Sequence, residues 1–288
     1  MGEKMPDVNV FLIVFLYLCR KLPDMANVRP KKALGQHFLT DLSIADRIAA
    51  TLDDRRGTPV LEVGPGMGVL TRFLLSRGHD VTVAEIDKES VAYLRQYMPE
   101  LPADHIIEGD FLQMDLDKVF ATDFCVIGNY PYNISSQIFF KILDYRDLIP
   151  CCSGMLQREV AERLAAPEGT KTRGILSVLL QAWYDVSYLF TVSEHVFNPP
   201  PKVKSGVVKL VRNGVTDLGC DEALFKTVVK TTFGQRRKTI RNSARGLIPP
   251  AATLPDSPLL AMRPEQLSVA QFVELTNIIS NLRKDSAL

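Results

Sequence analysis

The sequence predicts an α/β protein: a Rossmann-like, mostly parallel sheet with helices on both faces, plus a small all-helical C-terminal domain. Three observations predict it. Short apolar strands recur, with a glycine turn and a helical apolar pattern between the first two, as in the crossover unit of a doubly wound sheet. Several of these strands run into Asp, Glu or Asn. Past Asn213-Gly214 the strand-like patterning stops and helical spacing takes over. The chain has 288 residues, 46% hydrophobic and 23% charged, enough to bury a substantial core in one large or two unequal domains. We place the domains at 25–213 and 214–288. Residues 1–24 are expected to be an extension foreign to the native protein, with translation starting at Met25. Their ten-residue apolar run, 10–19, is too short to span a bilayer; Glu3 and Asp7 precede it and no small-residue cleavage pattern follows.

The first strand, Val60-Leu61-Glu62-Val63, runs into Gly64-Pro65-Gly66-Met67-Gly68 and then a helical pattern through Val69, Leu70, Phe73, Leu74 and Leu75. Glycines there let a ligand approach the backbone closely. Pro65 removes an amide donor that a pyrophosphate would use, so the ligand is expected to lack phosphate. The second strand, 81–84, leads to Glu85 and Asp87; Glu85 stands 21 positions after Gly64, where an acid takes ribose hydroxyls. The third, 105–108, delivers Gly109-Asp110-Phe111, and the fourth, 124–128, delivers Asn129-Tyr130-Pro131-Tyr132. All four ends converge on one crevice. Further strands are expected at 154–156, 184–189 and 207–211, and C-terminal helices at 223–233, 236–246 and 269–282.

The Asn129–Tyr132 tetrad suits a flat base bearing an exocyclic amine. The lone pair of such an amine is delocalised into the ring, so a catalyst must draw it out of plane. The Asn129 side-chain oxygen and the Pro131 carbonyl can accept its two hydrogens while Tyr132 stacks on the ring. Taken alone, the tetrad is also ordinary turn chemistry, and Glu85 and Asp110 also suit helix caps. His37 reads equally as a solvated bystander, and Phe197 as plain core before a proline run.

Six pieces in order resemble the S-adenosylmethionine-dependent rRNA adenine dimethyltransferases, specifically the bacterial small-subunit enzymes: 34–39 (LGQHFL), 62–68 (EVGPGMG), 85–87 (EID), 109–110 (GD), 129–135 (NYPYNIS) and 197–203 (FNPPPKV). The likeness covers nearly everything after Met25. It implies S-adenosylmethionine as cofactor, held by His37, Leu39, Gly64, Gly66, Glu85, Ile86, Asp110, Phe111 and Asn129. It implies catalysis by Asn129 and Pro131, with Tyr132 and Phe197 facing the extruded adenine. The implied substrate is a pair of adjacent adenosines in the 3′-terminal hairpin loop of small-subunit (16S) rRNA, met in a 30S assembly intermediate in the cytoplasm during ribosome biogenesis. No metal or membrane is implied, and a monomer is expected. Two positions depart from the family pattern: His37 replaces the usual Asn, and Tyr130 replaces Leu or Ile. A large-subunit adenine methyltransferase of the antibiotic-resistance type and a non-catalytic ribosome-assembly factor remain as alternatives.

Charge is divided along the chain. Residues 25–199 hold 17 Lys and Arg against 23 Asp and Glu, a net of −6; residues 200–246 hold 11 against 3, a net of +8. A polyanion is therefore expected on the second stretch, through Lys202, Lys204, Arg236, Arg237, Lys238 and Arg241, the last four on a cationic helix face. Arg29, Lys31 and Lys32 form a second basic cluster expected at the RNA, and the loop 168–174 is read as a mobile element over its backbone. Five cysteines without C-x-x-C spacing support neither a zinc site nor a disulfide framework; Cys151 and Cys152 are expected to be buried thiols.

Overall fold

The computed structural model describes Val28, Pro30, Lys31 and residues 34–285; the expectations for residues 1–24, Arg29 and Lys32 lie outside these. A seven-stranded sheet forms the centre, its strands lying side by side in the order 106–108, 81–85, 60–63, 125–129, 151–157, 205–212 and 184–192. Its strands are β2 (Val60–Val63), β3 (Val81–Glu85), β4 (Ile106–Glu108), β5 (Cys125–Asn129), β6 (Cys151–Gln157), β7 (Tyr184–Val192) and β9 (Ser205–Arg212). The first five run parallel, and β9 pairs antiparallel with both β6 and β7. The expected strands are all present: β3, β6, β7 and β9 extend beyond the apolar runs that signalled them, β2 coincides with its run, and β4 and β5 begin one residue later than expected. Two short ones were not anticipated: β1 (Phe38–Leu39) and β8 (Phe197–Asn198), which pair with each other as a separate antiparallel ribbon.

Buried parallel strands read as continuous apolar runs because both faces are covered, and alternate residues divide the core accordingly. Val60, Val81, Val83 and Ile127 pack with α1 (Leu42–Ala49), α2 (Val69–Ser76) and α3 (Lys88–Tyr97). Leu61, Val63 and Val126 face the opposite cluster, with α5 (Ser135–Asp144) and α7 (Ile175–Gln181); α4 (Leu116–Val119) and α6 (Arg158–Leu164) complete that side. The third glycine of the turn serves packing: Gly68 has φ +73°, and a Cβ there would stand 2.1 Å from Met98 Sδ at the end of α3.

After β9 come α8 (Glu222–Gly234), α9 (Ile240–Ser243) and α10 (Val269–Asp285). The helix expected over 236–246 is not formed. Gly234 ends α8, Lys238 N donates to the Gln235 carbonyl (2.8 Å) to close a turn, and extended Thr239 intervenes before the single turn of α9. The cations at 236–238 sit on an exposed turn, with no apolar face to bury. One apolar cluster runs from Leu61 in the sheet through Trp183 to Phe272 and Ile279 in α10, so sheet and C-terminal helices share a core. Among the described residues no helix is long and apolar enough to cross a membrane.

Candidate active site

A cavity opens at the carboxyl ends of β2, β3, β4 and β5, roofed by residues 34–39. Its first wall is the glycine turn, with Gly64 at φ +68° and Gly66 at φ +55°; a Cβ on Gly66 would press on Phe38 at 3.0 Å. Glu85 ends β3 nearly buried, its Oε2 accepting from Gly66 N (3.0 Å) and its Oε1 from Asp87 N (2.8 Å). Burial pushes this carboxyl above its ordinary pKa while those two backbone bonds oppose the shift. Each oxygen keeps acceptor capacity for a hydroxyl. Glu85 is not a helix cap; Asp87 caps α3. Ile86 beside it is 50% exposed, an apolar shelf at the cavity mouth. Asp110 both lines the cavity and caps the turn that follows: Oδ1 accepts from Leu112 N (2.9 Å), and Oδ2 makes no hydrogen bond among the described residues.

The opposite wall is the tetrad. Asn129 Nδ2 donates to the backbone oxygen of His37 (3.0 Å), which fixes the amide orientation and leaves Oδ1 without a hydrogen bond among the described residues. The Pro131 carbonyl accepts from Ile134 N (3.2 Å) and retains one lone pair. The Tyr132 hydroxyl meets Ser205 Oγ at 2.6 Å, and its ring stands 5.4 Å from that of His37, tilted by 30°. His37 Nδ1 lies 2.8 Å from the Pro199 carbonyl, which can only accept, so Nδ1 is the donor of this bond and Nε2 is left for other contacts. At the other departure, Tyr130 is buried, its hydroxyl donating to the Ser153 carbonyl (2.7 Å). Its ring occupies the space left by two glycines: a Cβ on Gly154 would stand 2.5 Å from it, and one on Gly128 3.1 Å.

All nine residues expected at the cofactor (His37, Leu39, Gly64, Gly66, Glu85, Ile86, Asp110, Phe111 and Asn129) line this one cavity, together with Pro131 and Tyr132. Phe197 does not. It pairs with Leu39 across the β1–β8 ribbon and turns inward, 4% exposed, into the core with Ile127, Met155 and Val207, so the ring beside Tyr132 is that of His37. Lys31 is also engaged within the protein. Its Nζ meets Asp87 Oδ1 at 2.5 Å and Glu89 Oε1 at 3.0 Å, the carboxylates of the first turn of α3, and these bonds raise its pKa. Together with Gln36, whose Oε1 accepts from Lys31 N (2.8 Å), it straps the roof to α3. The loop 168–174 is pinned too: Gly169 N donates to the Glu265 carbonyl (2.8 Å), and buried Arg173 donates to Ala166 O and Gln181 Oε1.

Lys202, Lys204, Arg236, Arg237, Lys238 and Arg241 are exposed and lie off the cavity wall. Lys204 adjoins Ser205, the partner of Tyr132; Arg236 donates to the Lys171 carbonyl (2.8 Å), and Arg241 stands 3.8 Å from Asp256. Glu62 lines the cavity although sequence reasoning passed over it. It is 1% exposed, and burial, with the neighbouring Glu85 carboxylate, pushes its carboxyl up to about 8. The available signal was an acid interrupting a wholly buried strand. Cys125, Cys151 and Cys152 are free and buried.

A parallel Rossmann-like sheet whose strand ends place a glycine turn, a buried acid and an Asn-x-Pro-Tyr wall around one cavity defines a class I methyltransferase. The crystal structure of a dimethyladenosine transferase from Plasmodium falciparum matches with a TM-score of 0.71 at 23% identity, covering 85% of this chain and 98% of that one. That of the 23S rRNA methyltransferase ErmE matches with a TM-score of 0.62 at 27% identity, covering 82% and 99%. The chain belongs to the ribosomal RNA adenine dimethylase family, whose model matches residues 27–281. A Parabacteroides distasonis protein named ribosomal RNA small subunit methyltransferase A is 68% identical over 256 residues, 88% of this chain and 95% of that protein.

Proposed function

We propose that the chain is an S-adenosylmethionine-dependent enzyme that dimethylates N6 of two adjacent adenosines in the 3′-terminal hairpin loop of small-subunit rRNA, acting as a monomer on a 30S assembly intermediate in the cytoplasm. Membership of the adenine dimethylase family and the name of the 68%-identical relative support this reading. The cavity fits the cofactor: no Cβ projects from Gly64 or Gly66, Glu85 has acceptor capacity for ribose hydroxyls, Ile86 offers an apolar shelf, and Asp110 Oδ2 is available to an adenine amine. When bound, S-adenosylmethionine supplies an electrophilic methyl on a sulfonium.

The observation that carries the proposal is the orientation of Asn129. With Nδ2 committed to His37 O, Oδ1 and the second lone pair of the Pro131 carbonyl are the acceptors left for the two amine hydrogens. They draw the nitrogen lone pair out of the purine plane, the kind of preorganised charge stabilisation that favours the transition state over bound substrate. Tyr132, held by Ser205 and beside His37, forms the face against which the extruded base stacks. The methylated amine is cationic and acidic, so its proton leaves without a strong dedicated base. We assign RNA contact to the 214–288 unit and to the exposed cations Lys202, Lys204, Arg236, Arg237, Lys238 and Arg241, with Phe197 as backing for the β1–β8 ribbon.

The test is to incubate the protein with methyl-labelled S-adenosylmethionine and separated ribosomal subunits lacking the modification, then map the label. Two adjacent N6-dimethyladenosines in the 3′-terminal hairpin of the small subunit are expected. Label confined to the large subunit, or none on either, would overturn the proposal.

A further inference from the structure

Lys141 lies on α5, the helix that begins directly after the tetrad, and its ammonium reaches across to the turn carrying Asp110. Nζ donates to the carbonyls of Leu112 (3.2 Å) and Met114, and stands 5.5 Å from the ring centre of Phe111 and 5.3 Å from that of Tyr145. Burial pulls its pKa below the ordinary lysine value, against the attraction of Asp110, Asp115 and Asp144. This is not a solvated surface cation. The turn it holds is already closed from within, by Gln113 N on the Asp110 carbonyl (2.9 Å) and by Leu112 N on Asp110 Oδ1 (2.9 Å). Lys141 ties the outer carbonyls of that turn to α5, while Asp110, Phe111 and Leu112 present its inner face to the cavity.

We propose that Lys141 is a positioning residue that locks the Asp110–Leu112 turn as a reader of a 6-aminopurine, so that selectivity for adenine in the bound nucleoside depends on it. The inference rests on the proposed assignment of this cavity to an adenosine-type cofactor. A carboxylate accepts from the amine of adenine and is repelled by the oxygen at the same position of hypoxanthine. Such discrimination requires a carboxylate that cannot swing aside. Without the ammonium, the Leu112 and Met114 carbonyls lose their charged donor and the turn gains freedom to relax away from either purine.

The experiment compares binding of S-adenosylhomocysteine and S-inosylhomocysteine by calorimetry. The wild type is expected to prefer the adenosyl compound, and Lys141→Met to lose about tenfold of that preference. Lys141→Arg should keep most of it. Lys141→Gln, with one short donor group, should fall between, and it serves as a second variant if the Met form does not fold. Loss of preference graded by the remaining donor supports the proposal, because a general loss of stability would weaken both ligands equally. An unchanged preference in Lys141→Met and Lys141→Gln, whatever their melting temperatures, overturns it. A wild type that binds neither compound overturns the cofactor reading, and this inference with it.

Discussion

Glu62 shows how far one residue can depart from what its neighbours suggest. Between its ordinary value of 4.5 and about 8, the folded protein holds a proton that the unfolded chain has released. Its contribution to stability is therefore complete below pH 4.5 and is lost as pH rises through 8. Glu62→Gln should melt with the wild type near pH 4.5 and several degrees higher at pH 8.5; calorimetry of both proteins across that range checks it, and a constant offset would refute the assignment. Tyr132 makes a different demand. Its ring, rather than its hydroxyl, is the proposed stacking surface, so Tyr132→Phe should retain most RNA affinity, while Tyr132→Ala should lose ~1–3 kcal/mol of it. Titration of both variants with small-subunit RNA distinguishes them.

Among the elements, the β5–β6 pair supports the tetrad through absence of side chains. Gly154 has φ +155°, and a Cβ there would stand 2.4 Å from the Gly128 carbonyl as well as against Tyr130. Gly154→Ala should cost roughly 3 kcal/mol or more, read from denaturant midpoints. The turn at 236–238 is the corresponding test on the RNA side. Arg237→Ala or Lys238→Ala should each reduce the salt slope of RNA binding by about one, whereas Lys31→Ala, whose charge already faces Asp87 and Glu89, should leave it unchanged. These elements also show which patterns the sequence exposes. Val60–Val63, its glycine turn and the acids ending the next strands announce themselves, because burial on both faces and close backbone approach leave few residue types. The β1–β8 ribbon was not legible: two residues have no period, and their pairing joins positions far apart in the chain. That pairing turned Phe197 inward. The cationic run at 235–245 reads as a helix because charges at helical spacing carry no information about an apolar face to anchor one.

For the whole molecule, the continuous cluster from Leu61 to Ile279 makes the C-terminal helices part of the sheet's core. Trp183, the only tryptophan in the chain, sits within that cluster with Arg146 and Arg212 packed against its ring. Unfolding followed by its fluorescence and by far-ultraviolet dichroism should therefore give one coincident transition; two separated transitions would show that the C-terminal helices fold apart from the sheet. At the same scale, the roof formed by residues 34–39 brings together what the sequence kept apart. It places the His37 carbonyl on Asn129 and the His37 ring beside Tyr132, so the usual asparagine's replacement still lines the cavity. In the proposed mechanism the Asn129 oxygen acts on the amine more than on the cofactor. The most direct measurement is the single-turnover methylation rate of Asn129→Ala on unmodified 30S subunits, set beside its calorimetric affinity for S-adenosylhomocysteine. A rate at least ~10²-fold below wild type is expected, with affinity reduced only several-fold. A near-normal rate, or a loss of affinity that accounts for the whole loss of rate, would contradict it.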